Sequence, residues 1–320
     1  MRRAVVVGHG QIGSRVTADL LARGVETVVV TRSARAAMPE GAHHVIGDAA
    51  RRADIASAAA GAEVIFACFH TRYDSRAWAS ELPRMEQAVL EAAAESGAVV
   101  VFPESTYAFA GDAEVLKEDS AYAPVEDKGR VRRELLEARA AHSARVISIL
   151  AGDLIGADAE PSSSVVRLLI TERVAAGRRA IIPADPDVAH AVTEIADLSR
   201  AMIAAGADAQ ELLGKSPHRL LIAPSQAPTL RQVAEHAADV VGRAHRAPVV
   251  LPHVVLRATG LISRTILELA RLRPIWRRPC TLVPSEELLV RAPVTPWREG
   301  VQDMMEDAAR RQAHEVIVGS

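Results

Sequence analysis

The sequence predicts an α/β fold: a doubly wound parallel sheet with a smaller C-terminal substrate-binding domain. Three observations carry this. A buried strand runs straight into a glycine turn and a helix at the start of the chain. Apolar runs of strand length then alternate with helical stretches through about residue 155. Beyond that point the rhythm loosens, and the tail turns rich in Pro, Arg and Trp. Such alternation reads as βαβ units, with helices on both faces of a parallel sheet.

The first strand is Ala4-Val5-Val6-Val7. It leads into Gly8-His9-Gly10-Gln11-Ile12-Gly13 and a helix over residues 14–23. This is the Rossmann-type G-x-G-x-x-G pattern in its proper setting. Gly8 permits the tight turn, Gly10 lets backbone approach a pyrophosphate, and Gly13 lets the helix pack on the strand. Gln11 and Ile12 sit in the same turn. The helix start offers free N–H groups to phosphates.

The second strand covers residues 25–30 and ends in Thr31-Arg32-Ser33-Ala34-Arg35. An NAD site usually carries an acid here, bonded to the ribose 2′-hydroxyl. This tip has two arginines and two hydroxyls instead, which suit a 2′-phosphate. The expected cofactor is therefore NADP(H). The competing reading of Arg32 and Arg35 is as plain surface arginines.

Further elements follow in order. Residues 45–48 predict a short third strand, 55–60 a helix, 63–69 a strand and 82–96 a long helix. Residues 98–102 predict a strand, 128–142 a helix and 145–150 a strand. In the looser half, 162–176 read as a helix, 180–183 as a strand, 192–205 as a helix and 218–223 as a strand. Thr229 follows Pro228 and caps a helix over 229–243. The domains expected are a dinucleotide-binding core over 1–155, with 190–224 returning to it, and a smaller unit from 156–189 and 225–320. Ligands on such sheets sit at the carboxyl ends of the strands. The loops from Gly8, Thr31, Gly47, His70, Pro103 and Ala151 should therefore line one crevice.

Composition narrows the function. With 38 basic and 40 acidic residues in 320, no cationic excess calls for nucleic acid, and no charge run suggests a tail. No apolar stretch reaches membrane-spanning length, and the early strand predicts no signal peptide. Cys68 and Cys280 lie far apart and read as thiols in a reducing cytoplasm. His43, His44 and His190 have no carboxylate or cysteine at ligand spacing, so no metal is expected. Asp197, inside a helix, reads as an exposed or capping acid. After the fourth strand, His70, Thr71, Arg72, Tyr73 and Trp78 can wall a substrate pocket, with Arg72 suited to an anionic group; the competing reading is loop surface.

The glycine turn, Gly47-Asp48, the run from Pro103 to Ala110, Lys128-Gly129 and the run from Gly152 to Gly156 fall in a familiar order. The chain resembles the extended short-chain dehydrogenase/reductases, in their NAD(P)-dependent epimerase/dehydratase-like branch. The resemblance continues through residues 185–205, Pro228-Thr229-Leu230 and residues 294–300, and so covers nearly the whole chain. It implies that Asp48 and Ala49 meet the adenine, and that Ala67 and Cys68 approach the adenosine and nicotinamide ribose. It puts Ser105 at the family's catalytic Ser or Thr. It puts Lys128 at the Lys of the Tyr-x-x-x-Lys pair, holding the nicotinamide ribose. A homodimer through the helices over 82–96 and 128–142 is also an implication of resemblance.

One departure stands out. Pro124 occupies the position of the family's proton-donating Tyr. Tyr107 and Tyr122 are the nearby phenols, and a phenol needs a neighbouring cation to act as an acid near neutrality. Lys128 is the expected cation for either. Tyr107 has two readings, donor or pocket wall; Tyr122 reads as loop surface. The expected function is an NADP(H)-dependent oxidoreductase acting on a carbonyl, carbinol or imine carbon of a small molecule. A cofactor-dependent epimerase or dehydratase, and a redox-inert NADP-binding sensor, are the alternatives.

Overall fold

The structure is a computed structural model and describes residues 1–34, 38–111, 114–161, 163–250 and 275–318. The first half runs β1 (Arg3–Val7), α1 (Gln11–Ala22), β2 (Glu26–Thr31), β3 (His43–Ile46), α2 (Arg52–Ala58), β4 (Val64–Ala67), α3 (Ser75–Ser96) and β5 (Val99–Ser105). After a 3-10 turn come β6 (Val115–Leu116), α4 (Asp127–Ala141), β7 (Val146–Ala151) and β8 (Asp153–Ile155). A π turn (Arg167–Thr171) leads into α5 (Glu172–Ala175), then β9 (Ile181–Ile182), β10 (Val192–Glu194), α6 (Ile195–Ala207), α7 (Ala209–Leu213), β11 (His218–Ile222), α8 (Leu230–Val240) and β12 (Val249–Val250). The last elements are β13 (Thr281–Leu282), α9 (Glu286–Leu289) and α10 (Trp297–Val318).

Seven strands form one parallel sheet in the order β11-β7-β5-β4-β1-β2-β3. The order reverses at β1: the chain builds outward through β2 and β3, then returns to β4 on the other side. Crevices for ligands open at such reversals. Strand pleating sends alternate residues to opposite faces. Val5 and Val7 of β1 join Ile55, Trp78, Leu82, Val131 and Leu135 beneath α2, α3 and α4. Ala4 and Val6 join Val16, Leu20, Leu198 and Met202 beneath α1 and α6. A third cluster joins Ile170 and Val174 to Leu230, Val233, Val301 and Met304 of α8 and α10.

Three elements differ from the sequence reading. The helix expected over 192–205 begins with a strand. Val192 and Thr193 are β-branched and pair in parallel with Asp153 and Leu154, and the Glu194 side chain then caps α6 by accepting the Asp197 N–H at 3.0 Å. Helix α3 starts at Ser75, not 82, because Asp74 accepts the Arg76 and Ala77 N–H groups, both at 3.0 Å. Pro83 then falls inside the helix, not at its first turn. Helix α10 has no counterpart in the sequence reading. Thr229 caps α8 in a full capping box with Gln232, as its position after Pro228 predicts.

One charged cluster lies in this apolar frame. Arg139 of α4 is fully buried. Its Nε and one terminal nitrogen donate to both Glu86 oxygens, at 2.7 and 2.6 Å. The other terminal nitrogen donates to Glu104 at 2.9 Å and to the Ser148 hydroxyl at 3.1 Å. The guanidinium also stacks 4.0 Å from the Phe102 ring centroid. Helices α3 and α4 and strands β5 and β7 are thus tied at one point. Arg139→Met strands two buried carboxylates and should cost about 3–5 kcal/mol in denaturant unfolding. Replacing Arg139 and Glu86 together by apolar residues should recover part of that loss, because Glu104 then keeps Arg132 as its cation.

Candidate active site

The glycine turn is built as its spacing demands. Gly8 holds φ +93°, and a Cβ there would lie 2.6 Å from the Phe69 Cα. A Cβ on Gly13 would lie 2.0 Å from the Gly8 carbonyl oxygen. Gly10 meets nothing within 4 Å and stands at the N-cap of α1, where no side chain caps the first N–H groups. Open space in front of uncapped helix N–H groups fits a pyrophosphate. Residues Gly10, Gln11 and Ile12 border a cavity of about 490 Å³. The Gln11 side-chain oxygen also accepts the Glu160 N–H at 2.8 Å, which ties the turn to the loop after β8.

At the tip of β2, Thr31 is half-buried while Arg32 and Ser33 are exposed. Arg35 lies outside the described residues. The Asp48 carboxylate accepts the Ala50 N–H at 3.0 Å, closing the loop after β3. Ala67, His70, Arg72, Tyr73, Ser105 and Tyr107 all border the cavity, as do Cys68, Thr71 and Trp78. The β1 turn, the β4 loop, the β5 end and the β7 end therefore share one crevice.

The polar end of the cavity depends on Glu104. Its Oε2 is held by Arg139, and its Oε1 accepts the Ser105 N–H at 2.8 Å. The Ser105 hydroxyl lies 3.4 Å from the same oxygen. Arg132 places its Nε 3.5 Å from Glu104 and stacks 5.0 Å from the Trp78 ring centroid. It also donates to His70 Nε2 at 3.0 Å. His70 Nδ1–H donates to the Thr71 carbonyl at 2.7 Å, so the Nε2 lone pair receives the arginine proton. Burial, and then the Arg132 charge, push the His70 imidazole down to about 4. His70 is thus neutral near pH 7 and serves as a fixed acceptor.

The start of α4 sets these positions. Glu126 caps it, accepting the Lys128 and Gly129 N–H groups at 2.8 and 2.6 Å. Gly129 carries no side chain because a Cβ there would lie 2.5 Å from the Tyr107 carbonyl oxygen. That close approach turns position 128 inward. Lys128 is fully buried, with Nζ 4.1 Å from the Tyr73 ring centroid and 5.6 Å from that of Trp78. The sequence reading put the ribose-holding cation at Lys128. Lys128 is not among the residues that border the cavity, and Arg132, one turn further along α4, is. Lys128 and Arg132 stand four residues apart on one helix face, the spacing of the Tyr-x-x-x-Lys pair.

The phenols also depart from expectation. Tyr107 and Tyr73 join their hydroxyls at 3.1 Å. Burial pushes the Tyr107 phenol up to about 12 and the Tyr73 phenol well above its ordinary range. The Tyr122 phenol is raised as well, again chiefly by burial. Lys128 sits on the face of the Tyr73 ring. Asp153 in the cavity wall accepts from the Ser164 hydroxyl and the Val165 and Val166 N–H groups at 2.8–3.2 Å, capping the helix that follows. Its carboxyl is pushed up to about 6 by burial.

Sequence reasoning passed over Glu104, Arg132, Arg139 and Glu86. Two signals were there. A Glu stands in the otherwise apolar run of β5, and a buried-strand carboxylate requires a buried cation. Arg132 lies one helical turn from a lysine already singled out.

Residues 8–154 match the NAD(P)H-binding family. No curated protein matches the chain. Among solved structures, the chain is similar to MoeE5 in complex with UDP-glucose and NAD, at 19% identity and TM-score 0.73, covering 97% of this chain and 99% of that one. It is also similar to the Thermotoga maritima UDP-glucose 4-epimerase with UDP-glucose, at 15% identity and TM-score 0.74, covering 97% and 99%. The Thermus thermophilus UDP-glucose 4-epimerase in complex with NAD follows at 19% identity and TM-score 0.70, covering 96% and 99%. The chain shares the fold of these structures. Its glycine turn, within the matched residues 8–154, fits a nicotinamide dinucleotide. No helix among the described residues is long and apolar enough to cross a membrane.

A spectrophotometric titration checks the phenols. Absorbance at 295 nm should stay flat up to about pH 10, the ordinary tyrosine value. Ionisation of one tyrosine near pH 8 would instead mean that a cation acidifies it.

Proposed function

We propose that the protein is an NADP(H)-dependent oxidoreductase of short-chain dehydrogenase/reductase type, acting on a carbonyl, carbinol or imine carbon of a small molecule. The observation that carries the reading is the single cavity joining the Gly10–Ile12 turn to Ser105, Tyr107 and Arg132. A dinucleotide-binding turn and a fixed polar cluster share one crevice, with Tyr73, Trp78 and Tyr107 in its wall.

The nicotinamide group supplies the hydride chemistry, and the protein supplies binding, orientation and charge. Gly8, Gly10 and Gly13, with the start of α1, hold the pyrophosphate. Thr31, Arg32 and Ser33 meet the 2′-phosphate. Ser105 turns its hydroxyl between Glu104 and a ligand oxygen or nitrogen. Arg132 faces the same space as a permanent cation, able to stabilise negative charge but not to give up a proton. Tyr107 and Tyr73 stay neutral and act as hydrogen-bonding wall. Cys68 and Cys280 are both free thiols, which supports a cytoplasmic setting.

The second reading is an epimerase that uses the cofactor transiently. It is favoured by a likeness in fold that spans 97% of the chain and includes UDP-sugar 4-epimerases. Incubation with cofactor and UDP-glucose, followed by NMR, should show no 4-epimer under the oxidoreductase reading; its formation selects the epimerase.

Cofactor binding tests the main reading directly. Gly10→Val should abolish binding of NADPH and leave the circular dichroism unchanged; unaltered affinity would reduce the turn to a connection. NADPH should bind more tightly than NADH, and Arg32→Ala should cost about 1.5–3 kcal/mol of NADPH affinity only. Equal affinity for the two in the native protein would overturn the cofactor assignment.

A further inference from the structure

Two histidines stand beside the expected 2′-phosphate position, and the sequence reading gave neither a role. His9 lies inside the glycine turn. Its Nδ1 is 3.3 Å from the Ser14 hydroxyl, which donates its single proton to the His9 carbonyl at 3.3 Å. The hydroxyl therefore accepts from Nδ1–H, and Nε2 is left as the basic nitrogen. That Nε2 is buried and has no hydrogen-bond partner among the described residues. His44 comes from the neighbouring strand β3. Its Nε2 is 2.7 Å from the Thr31 hydroxyl, which spends its own proton on the Ser33 carbonyl at 2.9 Å. His44 Nε2–H is thus the donor, and the tip of β2 is fastened to β3 through it.

The His44 imidazole acts on His9. Burial first, and then His44, hold His9 below the ordinary histidine range. An uncompensated second proton on this pair is unfavourable while no anion is present. An anion placed between them reverses that sign, because it offers both protonated rings a partner. The anion that belongs here follows from position: the turn after β1 and the tip of β2 flank the ribose 2′-position. The other charged or titratable groups on the surrounding elements are Arg32 at the β2 tip, His43 on β3, Asp48 after β3, and Arg51 and Asp54 at the start of α2. Asp54 is already engaged, accepting the Asp48 N–H at 2.9 Å with Arg51 4.0 Å away.

We propose that His9 and His44, together with Arg32, form a proton-dependent seat for the 2′-phosphate of NADP(H). The inference rests on the NADP reading above and adds to it two specificity-determining residues and a direction with pH. The seat takes up protons as the phosphate binds. Preference for NADPH over NADH must then rise as pH falls from 8 toward 6.5. The phosphate cannot produce this trend, because its own second ionisation, at about 6, weakens its charge in the same direction.

The experiment is calorimetric titration of the whole protein with NADPH and NADH at pH 8.0, 7.0 and 6.5, repeated with adenosine 2′,5′-bisphosphate and AMP as probes. NADPH affinity relative to NADH should rise at least about fivefold across that range, and the bisphosphate should rise likewise against AMP. His44→Gln and His9→Gln should each flatten the trend while leaving NADH affinity unchanged. Melting curves without ligand establish that each variant is folded, and if His9→Gln is not, His44→Gln alone decides. NADPH preferred equally at every pH, or an undiminished trend in the folded variants, overturns the seat and spares the NADP reading. Equal binding of NADPH and NADH at every pH overturns both. Failure of the native protein to bind either cofactor overturns the oxidoreductase reading together with the seat.

Discussion

Arg139 sits without solvent contact between Glu86 and Glu104, and the polar half of the cavity is organised around that contact. A buried guanidinium is tolerated when its donors are filled and its charge is matched. Here its partners come from α3, β5 and β7, so three elements are held in fixed relation to α4. Glu104 is the pivot. One oxygen is held by Arg139, which leaves the other to orient the Ser105 backbone and hydroxyl and to face Arg132. Ser105 and Arg132 inherit their positions from an ion cluster whose three members border the same cavity.

A second constraint is the close packing of α4 on the loop after β5. Gly129 lets the helix backbone come against the Tyr107 carbonyl, and Glu126 closes the helix start. That geometry decides which face of α4 meets the cavity. It drives Lys128 behind the Tyr73 ring and brings Arg132 forward between Trp78 and His70. The cation that borders the cavity is therefore an arginine held by a neutral histidine. An arginine stabilises developing negative charge without proton transfer. Burial keeps the Tyr107 phenol protonated at neutral pH and makes it a weak acid.

Much of this protein could be read before it was folded. The glycine turn, the strands of the central sheet and the helix capped at Thr229 are short-range features, set by spacing, periodicity and capping chemistry within a few residues. The same holds for the lack of an acid at the tip of β2, which a single strand displays by itself. Local signals failed where two rules competed. The start of α3 was expected seven residues too late because the Asp74 cap was overlooked. Residues 192–194 carry a helical pattern of apolar positions, yet pairing with β8 makes them a strand.

What the sequence by itself determined is the sheet, its dinucleotide turn and the chemistry offered at the second strand tip, since each depends on neighbours along the chain. Tertiary structure alone decided which charges face the ligand and which are spent on one another. Glu86, Glu104, Arg132 and Arg139 are ordinary charged residues when read singly, and only their meeting across α3, β5 and α4 separates scaffold from site. His9 and His44, thirty-five positions apart, are brought near each other by the pairing of β1 with β2 and of β2 with β3. The reason is the range of the forces involved. Turns and caps close over a few residues, whereas desolvation and charge pairing depend on whatever the fold brings within a few ångströms.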